Sequence, residues 1–198
     1  MLTFHELEEP AVSTQLRSTD VKRLNRQWRR RTTGRAALLI ESVTQPFNLG
    51  SILRSAAVLG VSEVWLTGNT AEVTHPGVGK SALGSERKLT VHRGATREAV
   101  TAATEAGYRV AALELTEDAQ PVHEAALDTD VCLAVGAEDH GCSPTLLAAV
   151  DMVTYIPQLG RVGSLNVAVA TAVALTEIRR RDWTGAIAAP HSHDLYSA

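Results

Sequence analysis

The stretch AALLIESVTQPFNLGSILR, residues 36–54, sets the pattern from which the fold can be predicted. It opens with an apolar run at 36–40, whose length suits a buried strand better than a helix. A helical pattern follows from about residue 50 to residue 59. A strand that leads directly into a helix is the unit from which parallel α/β sheets are built.

The alternation of strand and helix continues to the last quarter of the chain. Further apolar runs predict strands at 64–66, 89–91, 109–115, 131–135 and 152–156. Helical patterns predict helices at 96–106, 144–150 and 165–181. The fold class expected from this order is α/β, with a parallel sheet and helices on both faces. We assign residues 36–182 to this domain, and residues 183–198, with Pro190 and scattered polar side chains, to a flexible tail.

Length and composition exclude several classes of protein. With 198 residues, 44% of them hydrophobic, the chain is long enough for one domain with a sizeable core. No apolar run approaches the roughly 20 residues that span a bilayer, and the N-terminus lacks a basic region followed by an apolar one. We therefore expect a cytoplasmic protein with no membrane partner.

The cysteines and histidines do not predict a metal site. Cys132 lies within an apolar run and Cys142 in a predicted loop, so they form neither a disulfide framework nor a metal-binding spacing. His191 and His193 are two possible ligands without a third. We expect no bound metal ion.

The first 35 residues form a basic segment in a chain whose net charge is -3. They hold eight basic against four acidic side chains, and we expect a helical extension that is capped at Thr19-Asp20 and ended by Gly34. Such a segment suits binding to RNA phosphates, with Arg23, Arg26, Arg29 and Arg30 as candidate contacts. The alternative is an ordinary solvated helix face.

A second candidate for phosphate binding is the segment GVGKS at residues 77–81. It ends like the P-loop of NTPases, but that loop needs a glycine five residues before Gly79, where this chain has Thr74. We expect instead a loop near the functional site, in which Lys80 contacts RNA.

Three short clusters carry candidate chemistry. Asn48, Gly50 and Arg54 follow the first predicted strand. The other two clusters are Gly136-Ala137-Glu138-Asp139-His140-Gly141 and Ser164-Leu165-Asn166-Val167. Helix capping or an ordinary loop would explain each cluster alone. Because ligands of open α/β sheets bind beyond the carboxyl ends of strands, we expect the three to meet at one crevice.

In this combination and order the clusters resemble the three motifs of the SpoU (TrmH-like) branch of the SPOUT RNA methyltransferases. The resemblance covers about residues 36–182. It implies a parallel sheet with a C-terminal trefoil knot and a bent S-adenosylmethionine held mainly by backbone groups of the knot. It also implies a homodimer and methylation of a ribose 2′-hydroxyl in RNA.

The resemblance also implies roles for particular residues. By motif position, the cofactor pocket would be lined by Leu113, Gly136, Ile156 and Leu165. The catalytic group would be Asn48, Arg54, Glu138, Ser164 and Asn166. The family pattern makes Arg54 the base that takes the hydroxyl proton, whereas a guanidinium that keeps its proton fits better as a clamp for an RNA phosphate.

The choice of RNA rests on the N-terminal segment. A short basic helix without a separate RNA-binding domain is more like the tRNA enzymes of the family than the ribosomal ones, so we expect tRNA. Alternatives are methylation of ribosomal RNA, a non-catalytic RNA-binding factor on the same scaffold, and an NTPase.

The last predicted helix bears on the homodimer. Val167, Val169, Val173 and Leu175, among many alanines, make it too apolar to face water on any side. Arg179-Arg180-Arg181 at its end could extend the RNA-binding surface.

Overall fold

The computed structural model describes residues 13–127 and 130–186. These residues fall into two compact units, which divide between Arg31 and Thr32. The first unit holds helix α1 (Ser18–Arg31), so the predicted basic extension does contain a helix. Gly34 does not end it, because Gly34 belongs to the second unit, where its N–H donates to Asp182 (3.1 Å).

All described strands belong to the second unit and join one parallel sheet in the order β3-β2-β1-β6-β4-β7-β5. In chain order they are β1 (Ala36–Glu41), β2 (Glu63–Thr67), β3 (Thr90–Arg93), β4 (Arg109–Leu113), β5 (Gln120–Pro121), β6 (Val131–Val135) and β7 (Met152–Tyr155). The helices of this unit are α2 (Pro46–Val58), α3 (Pro76–Ala82), α4 (Thr96–Glu105), α5 (Pro144–Leu147) and α6 (Val167–Ala186), with a 3₁₀ turn at Ser85–Lys88.

The two central strands are buried on both faces, as their unbroken apolar sequences predict. In β1, Leu38 and Ile40 face a core covered by α2, α3 and α6. Ala37 and Leu39 face a second core, covered by α4 and α5. The predicted fold class, a parallel α/β sheet with helices on both faces, is therefore confirmed. The trefoil knot stays a prediction.

Several boundaries differ from the predicted ones. Helix α2 begins at Pro46 rather than near residue 50, since proline suits the first helical position. Helix α3 occupies a segment that the sequence predicts to be a loop. Helix α6 runs on to Ala186, past the predicted start of the tail at 183. The rest of that tail, with His191 and His193, lies outside the described residues.

The described helices are too short or too polar to cross a bilayer. Within residues 13–127 and 130–186, no helix combines the length and the apolar content that crossing a membrane requires.

Candidate active site

A chain of side-chain hydrogen bonds joins all three sequence clusters. Asn48, in the first turn of α2, donates from Nδ2 to Oε1 of Glu138 (2.6 Å). Asn166 donates from its own Nδ2 to Oδ1 of Asn48 (3.1 Å). These residues come from the segments that follow β1, β6 and β7, so the strand ends bring together positions far apart in sequence. The expected meeting of the clusters at one crevice is thus observed.

Glu138 is carried by a tight hairpin that follows β6. Ala137 and Gly141 exchange backbone hydrogen bonds across it (3.0 and 3.1 Å). A Cβ at Gly136 would overlap the backbone of Gly141, and Gly141 itself has φ +68°. Both positions therefore require glycine, and the reason is the closure of the hairpin itself.

Two carboxylates brace the base of this hairpin. Glu114, just after β4, accepts the N–H of Cys142 (2.8 Å). Glu41, at the end of β1 and only 5% exposed, accepts the N–H and the hydroxyl of Ser143 (2.8 and 2.9 Å). Glu41 also accepts the hydroxyl of Thr96 (2.7 Å). The N–H groups of two consecutive residues, Cys142 and Ser143, are thus held by carboxylates that lie at the ends of two strands. These hydrogen bonds fix the direction of the hairpin.

Asn166 has a second function as the cap of α6. Its Oδ1 accepts the N–H of Ala168 (3.0 Å), while its amide nitrogen is directed to Asn48. One side chain therefore both satisfies the helix N-terminus and completes the hydrogen-bonded network.

The hairpin and the segment before α6 enclose a cleft of about 540 Å³, which we call the hairpin cleft. Its lining includes Leu113, Glu114, Gly136, Glu138, Asp139, His140, Ser164, Leu165 and Asn166. Three of these side chains are carboxylic acids, and the described lining contains no lysine or arginine. The cleft therefore favours a ligand with an apolar body and a positive charge.

A second concavity, the α2–α6 groove, has a volume of about 750 Å³. Ser51 and Ser55 of α2 form one side, and Val169 and Val173 of α6 form the other. Asn48 and Asn166 also line it, so the groove and the hairpin cleft meet at the hydrogen-bonded network. Both valines are exposed, at 50% and 42%.

The remaining predicted site residues lie apart from the network. Arg54 is exposed on α2 and lines neither concavity. Ile156 packs half-buried against the core and is not among the residues that line the hairpin cleft. Lys80 is exposed on α3. In α1, Arg26, Arg29 and Arg30 are exposed, and Arg23 is paired with Asp20 (3.7 Å).

Two interpretations of glycine-containing segments are wrong. Gly50 does not begin a helix, as the pattern from about residue 50 predicts; it is buried within α2, where a Cβ would overlap the hydroxyl of Ser81 and stand 2.5 Å from the carbonyl of Val78. The segment at 77–81 is helical, not a loop, and the N–H of Gly77 is bonded to the ring of His75 (3.0 Å). It therefore lacks the phosphate-binding loop of an NTPase.

The arginines at 179–181, within α6, and at residue 35 make hydrogen bonds or ion pairs inside the fold. Arg179 is buried and donates to the carbonyls of Leu59, Gly34 and Gly60, and Arg181 donates to those of Ala125 and Val122. Arg180 is paired with Glu177 (2.8 Å), and Arg35 with Asp130 (2.6 Å). The expectation that residues 179–181 extend an RNA-binding surface is wrong for Arg179 and Arg181, because their donors are taken up by backbone carbonyls.

Cys142 lies at the foot of the hairpin but is not a reactive thiol. Burial, followed by the nearby charges of Glu114 and Glu41, raises its pKa to about 12. Because the thiolate is the nucleophilic form, this cysteine is inert at neutral pH.

Sequence reasoning missed both bracing carboxylates. Glu41 gave one usable signal: it is a charged residue that directly continues a strand buried on both faces, and such a charge must find several hydrogen-bond donors. No pattern in the sequence predicts that Glu114 accepts a backbone N–H.

Comparison with known proteins agrees with this geometry. The parallel sheet, with polar side chains of the three clusters gathered beyond its strand ends, defines an open α/β protein. Residues 35–176 match the model of the SpoU rRNA Methylase family, and the chain belongs to that family. The resemblance seen in the three motifs is confirmed.

Individual relatives extend the comparison. The chain is 38% identical over 146 residues to the tRNA (guanosine(18)-2′-O)-methyltransferase of Thermus thermophilus, covering 73% of this chain and 74% of the relative. It is 32% identical to the 23S rRNA (guanosine-2′-O-)-methyltransferase RlmB of Acinetobacter baylyi, over 73% of this chain and 59% of that protein.

Among solved structures, an AdoMet-bound rRNA methyltransferase from Sinorhizobium meliloti superposes with a TM-score of 0.70 and 30% identity. That match covers 74% of this chain and 56% of the other. The chain thus spans less than two thirds of the length of this structure and of the Acinetobacter relative.

Proposed function

We propose that this protein is an S-adenosylmethionine-dependent methyltransferase that acts on a ribose 2′-hydroxyl of RNA. One observation carries the proposal: Asn48, Glu138 and Asn166 form a continuous hydrogen-bonded network at the edge of the hairpin cleft. One relative is named as a tRNA 2′-O-methyltransferase, and another is named as a 23S rRNA 2′-O-methyltransferase.

The lining of the hairpin cleft fits the proposed cofactor. Leu113 and Leu165 offer apolar surface, and Glu114, Glu138 and Asp139 offer negative charge. When bound, S-adenosylmethionine supplies a methyl group that its sulfonium has already activated. Leu113, Gly136 and Leu165 would hold it, whereas Ile156 would support the cleft from the core side.

The side chains around the cleft would then align the RNA. Asn48 and Asn166 present amide groups, and Ser164 a hydroxyl, that can hold a ribose. Glu138 would keep Asn48 in one orientation through their 2.6 Å hydrogen bond. The exposed side chain of Arg54, which has no hydrogen bond or ion pair with another described residue, would clamp an RNA phosphate.

Within RNA we favour tRNA as the substrate. Helix α1 provides the exposed arginines Arg26, Arg29 and Arg30, which can neutralise phosphates. The more similar of the two relatives described above is named for tRNA. Ribosomal RNA is the second candidate, because the Acinetobacter relative is named for 23S rRNA.

We further infer that the α2–α6 groove holds a second copy of this chain. Helix α6 buries Leu175 and Ile178 in the core, yet exposes Val169 and Val173 on the groove side. Apolar side chains on both sides of one helix suit an interface with another protein surface. Sedimentation at micromolar concentration should give a dimer, and a Val173→Asp variant should give a monomer; a monomeric wild type would refute the inference.

The activity is tested by incubating the protein with labelled S-adenosylmethionine and separate tRNA and rRNA pools, followed by nuclease mapping of the labelled nucleotide. Label on a ribose 2′-oxygen supports the proposal, and no label in any RNA refutes it.

The role of Arg54 is tested in the same assay. Arg54→Ala should lower turnover at least tenfold, about 1.4 kcal/mol of barrier, with cofactor affinity unchanged. The control is Arg97→Ala, which removes an exposed arginine from α4, the helix on the other face of the sheet. Equal turnover in the two variants would exclude a central role for Arg54.

A further inference from the structure

The charge of the hairpin cleft works against the binding of RNA beside it. Its lining includes Glu114, Glu138 and Asp139, and the described lining contains no lysine or arginine. Each nucleotide of an RNA brings a negative phosphate, which acidic walls repel. Positive charges close to the network of Asn48 and Asn166 would offset this repulsion by holding the phosphates of the bound strand.

Positive charge is scarce in the part of the chain that builds this cleft. From residue 110 to residue 178 the sequence contains ten acidic side chains, and Arg161 is its only lysine or arginine. This stretch includes β6, β7, the hairpin and the segment before α6. Arg54 lies outside it, on α2. Arg161 is therefore the one residue of the stretch whose positive charge is permanent.

Arg161 lies beside the hairpin cleft, in the segment that joins β7 to α6. Gly163 lines the cleft, and a separation of two residues places its Cα within about 7 Å of that of Arg161. Asn166, which donates to Asn48, ends the same segment. An RNA whose ribose lies at the hydrogen-bonded network therefore passes close to Arg161.

The guanidinium of Arg161 is available to a ligand. The residue is exposed and has no hydrogen bond or ion pair with another described residue. Arg35 and Arg180, by contrast, are paired with Asp130 and Glu177. An arginine without a partner presents a planar fork of N–H donors that matches the oxygens of a phosphate.

The apolar neighbours of Arg161 also face solvent. The side chain of Leu159 is fully exposed, and that of Val162 is 77% exposed. The bases of a single-stranded RNA loop are unstacked, so their faces can pack on apolar side chains, whereas a duplex keeps its bases inside. An arginine between two exposed apolar side chains therefore fits an RNA loop better than a duplex.

We propose that Arg161 is a substrate-binding residue, which holds an RNA phosphate next to the nucleotide that is methylated, while Leu159 and Val162 contact unpaired bases. This rests on the proposed function. Arg161 positions the RNA and takes no part in the bond changes of methyl transfer. Its loss should therefore raise the KM for RNA and leave kcat nearly unchanged.

The first test measures RNA binding without the reaction, with total tRNA and total rRNA as separate probes. In filter binding, Arg161→Gln should weaken the binding of at least one probe about tenfold, the effect of one lost charged hydrogen bond. Its salt slope should be smaller by roughly 0.7–0.9 log units, the amount for one phosphate. Arg161→Lys, which keeps the charge, should retain the wild-type slope.

The matched control for Arg161→Gln is Arg97→Gln. Arg97 is likewise exposed and without a partner among the described residues, but it lies on α4, on the other face of the sheet. Arg97→Gln should bind RNA like wild type. If Arg161→Gln keeps the wild-type affinity and salt slope for both probes, the proposal is overturned.

The second test separates RNA from cofactor. In methyl transfer, Arg161→Gln should raise the KM for RNA about tenfold and keep kcat within about twofold of wild type. Calorimetry should give an unchanged Kd for S-adenosylmethionine. A weakened Kd would show that Arg161 binds the carboxylate of the cofactor, which overturns the proposal. If the wild type methylates no RNA, the proposed function fails, while the filter-binding result still decides whether Arg161 contacts RNA.

The third test asks whether a second copy of the chain, and not RNA, covers the exposed side chains. Leu159→Asp adds a negative charge at a fully exposed position, so it should weaken RNA binding and leave the sedimentation coefficient at its wild-type value. A variant that dissociates to a smaller species, with RNA affinity unchanged, would show that this segment faces another copy and would overturn the proposal.

Discussion

Gly50 shows how closely helices α2 and α3 approach each other. A Cβ at this position would overlap the Ser81 hydroxyl and come within 2.5 Å of the carbonyl of Val78. Backbone carbonyls cannot move aside as a side chain can, so only glycine permits this approach. Within this sequence motif, Gly50 thus permits α2 to pack against α3, whereas Asn48 belongs to the hydrogen-bonded network of the candidate site.

Substitution of two helical glycines by alanine should have opposite effects. Gly50→Ala should lower the free energy of unfolding by about 1–3 kcal/mol, because overpacking outweighs the better helix propensity of alanine. Gly79→Ala, in α3 with no atom within 4 Å of its Cβ, should raise it by up to about 1 kcal/mol. Urea unfolding measures both. Equal effects of the two substitutions would show that α2 and α3 are farther apart than described.

At the scale of elements, the hairpin after β6 depends on Glu41. Its two oxygens accept from the Ser143 N–H, the Ser143 hydroxyl and the Thr96 hydroxyl. In Glu41→Gln an amide NH₂ replaces one carboxylate oxygen, and the hydroxyls of Ser143 and Thr96 lose their charged acceptor, so the unfolding free energy should fall by about 1–3 kcal/mol.

The control for Glu41→Gln is Thr96→Val, which removes one donor and leaves both carboxylate oxygens accepting from Ser143. It should cost less stability and leave methyl transfer near wild type, whereas Glu41→Gln should lower both. A Gln variant as stable as wild type would show that Glu41 does not brace the hairpin.

Asp130 holds together the N-terminal ends of β1 and β6, at the edge of the sheet away from the hairpin. It accepts from the backbone N–H and Nε of Arg35 (2.7 and 2.6 Å), and these hydrogen bonds, the backbone one foremost, lower its pKa. A lowered carboxyl pKa stabilises the fold above the pKa of the unfolded chain, about 3.9, and the contribution is lost as the pH falls through the folded value.

Asp130→Asn should therefore lower the melting temperature at pH 7, and the gap to wild type should close below about pH 4. Thermal unfolding from pH 3 to pH 8 measures this. A gap that stays constant over that range would exclude the Arg35–Asp130 pair as its cause.

Strands and helices could be predicted from the sequence where burial alone determines which residues are apolar. The predicted strand at 131–135 coincides with β6, which is apolar throughout and buried on both faces. Helix α3 was missed because Pro76, Gly77 and Gly79 are typical of loops; proline is in fact at its first turn, and Gly77 fits against Pro46 and His75. The two-residue strand β5 is too short to leave a periodic pattern.

At the scale of the whole molecule, the order of the three clusters predicted that they meet, because each follows a strand of one parallel sheet. Which side chains touch was not predictable: the Asn48–Glu138 and Asn48–Asn166 pairs are separated by 90 and 118 residues, and only tertiary packing sets such distances. The catalytic roles of Asn48, Arg54, Glu138, Ser164 and Asn166 stay predictions.

The proposed binding of RNA can be tested on helix α1. We expect an Arg26→Gln, Arg29→Gln, Arg30→Gln triple variant to bind tRNA more weakly. Its salt slope should be smaller by roughly 0.7–0.9 log units for each phosphate that the variant no longer neutralises. Cofactor affinity should not change. This variant is preferable to removal of residues 1–35, because Gly34 and Arg35 are bonded to Asp182 and Asp130 of the second unit.

Filter binding over a range of salt concentrations gives the slope. The matched control is Arg87→Gln with Lys88→Gln, two basic residues at the 3₁₀ turn. A triple variant with the wild-type slope would show that α1 is a solvated helix face.

The position of β6 in the sheet has a consequence for how the chain folds. β6 pairs with β1 on one side and β4 on the other, yet both partners precede it in the sequence. During synthesis, we expect that β4 cannot join the sheet of β1–β3 until residues 131–135 are made and inserted between β1 and β4. Pairings over so long a separation form slowly. The strand that unites the sheet also leads into the hairpin, so we expect the hairpin cleft to be among the last parts of the nascent protein to form.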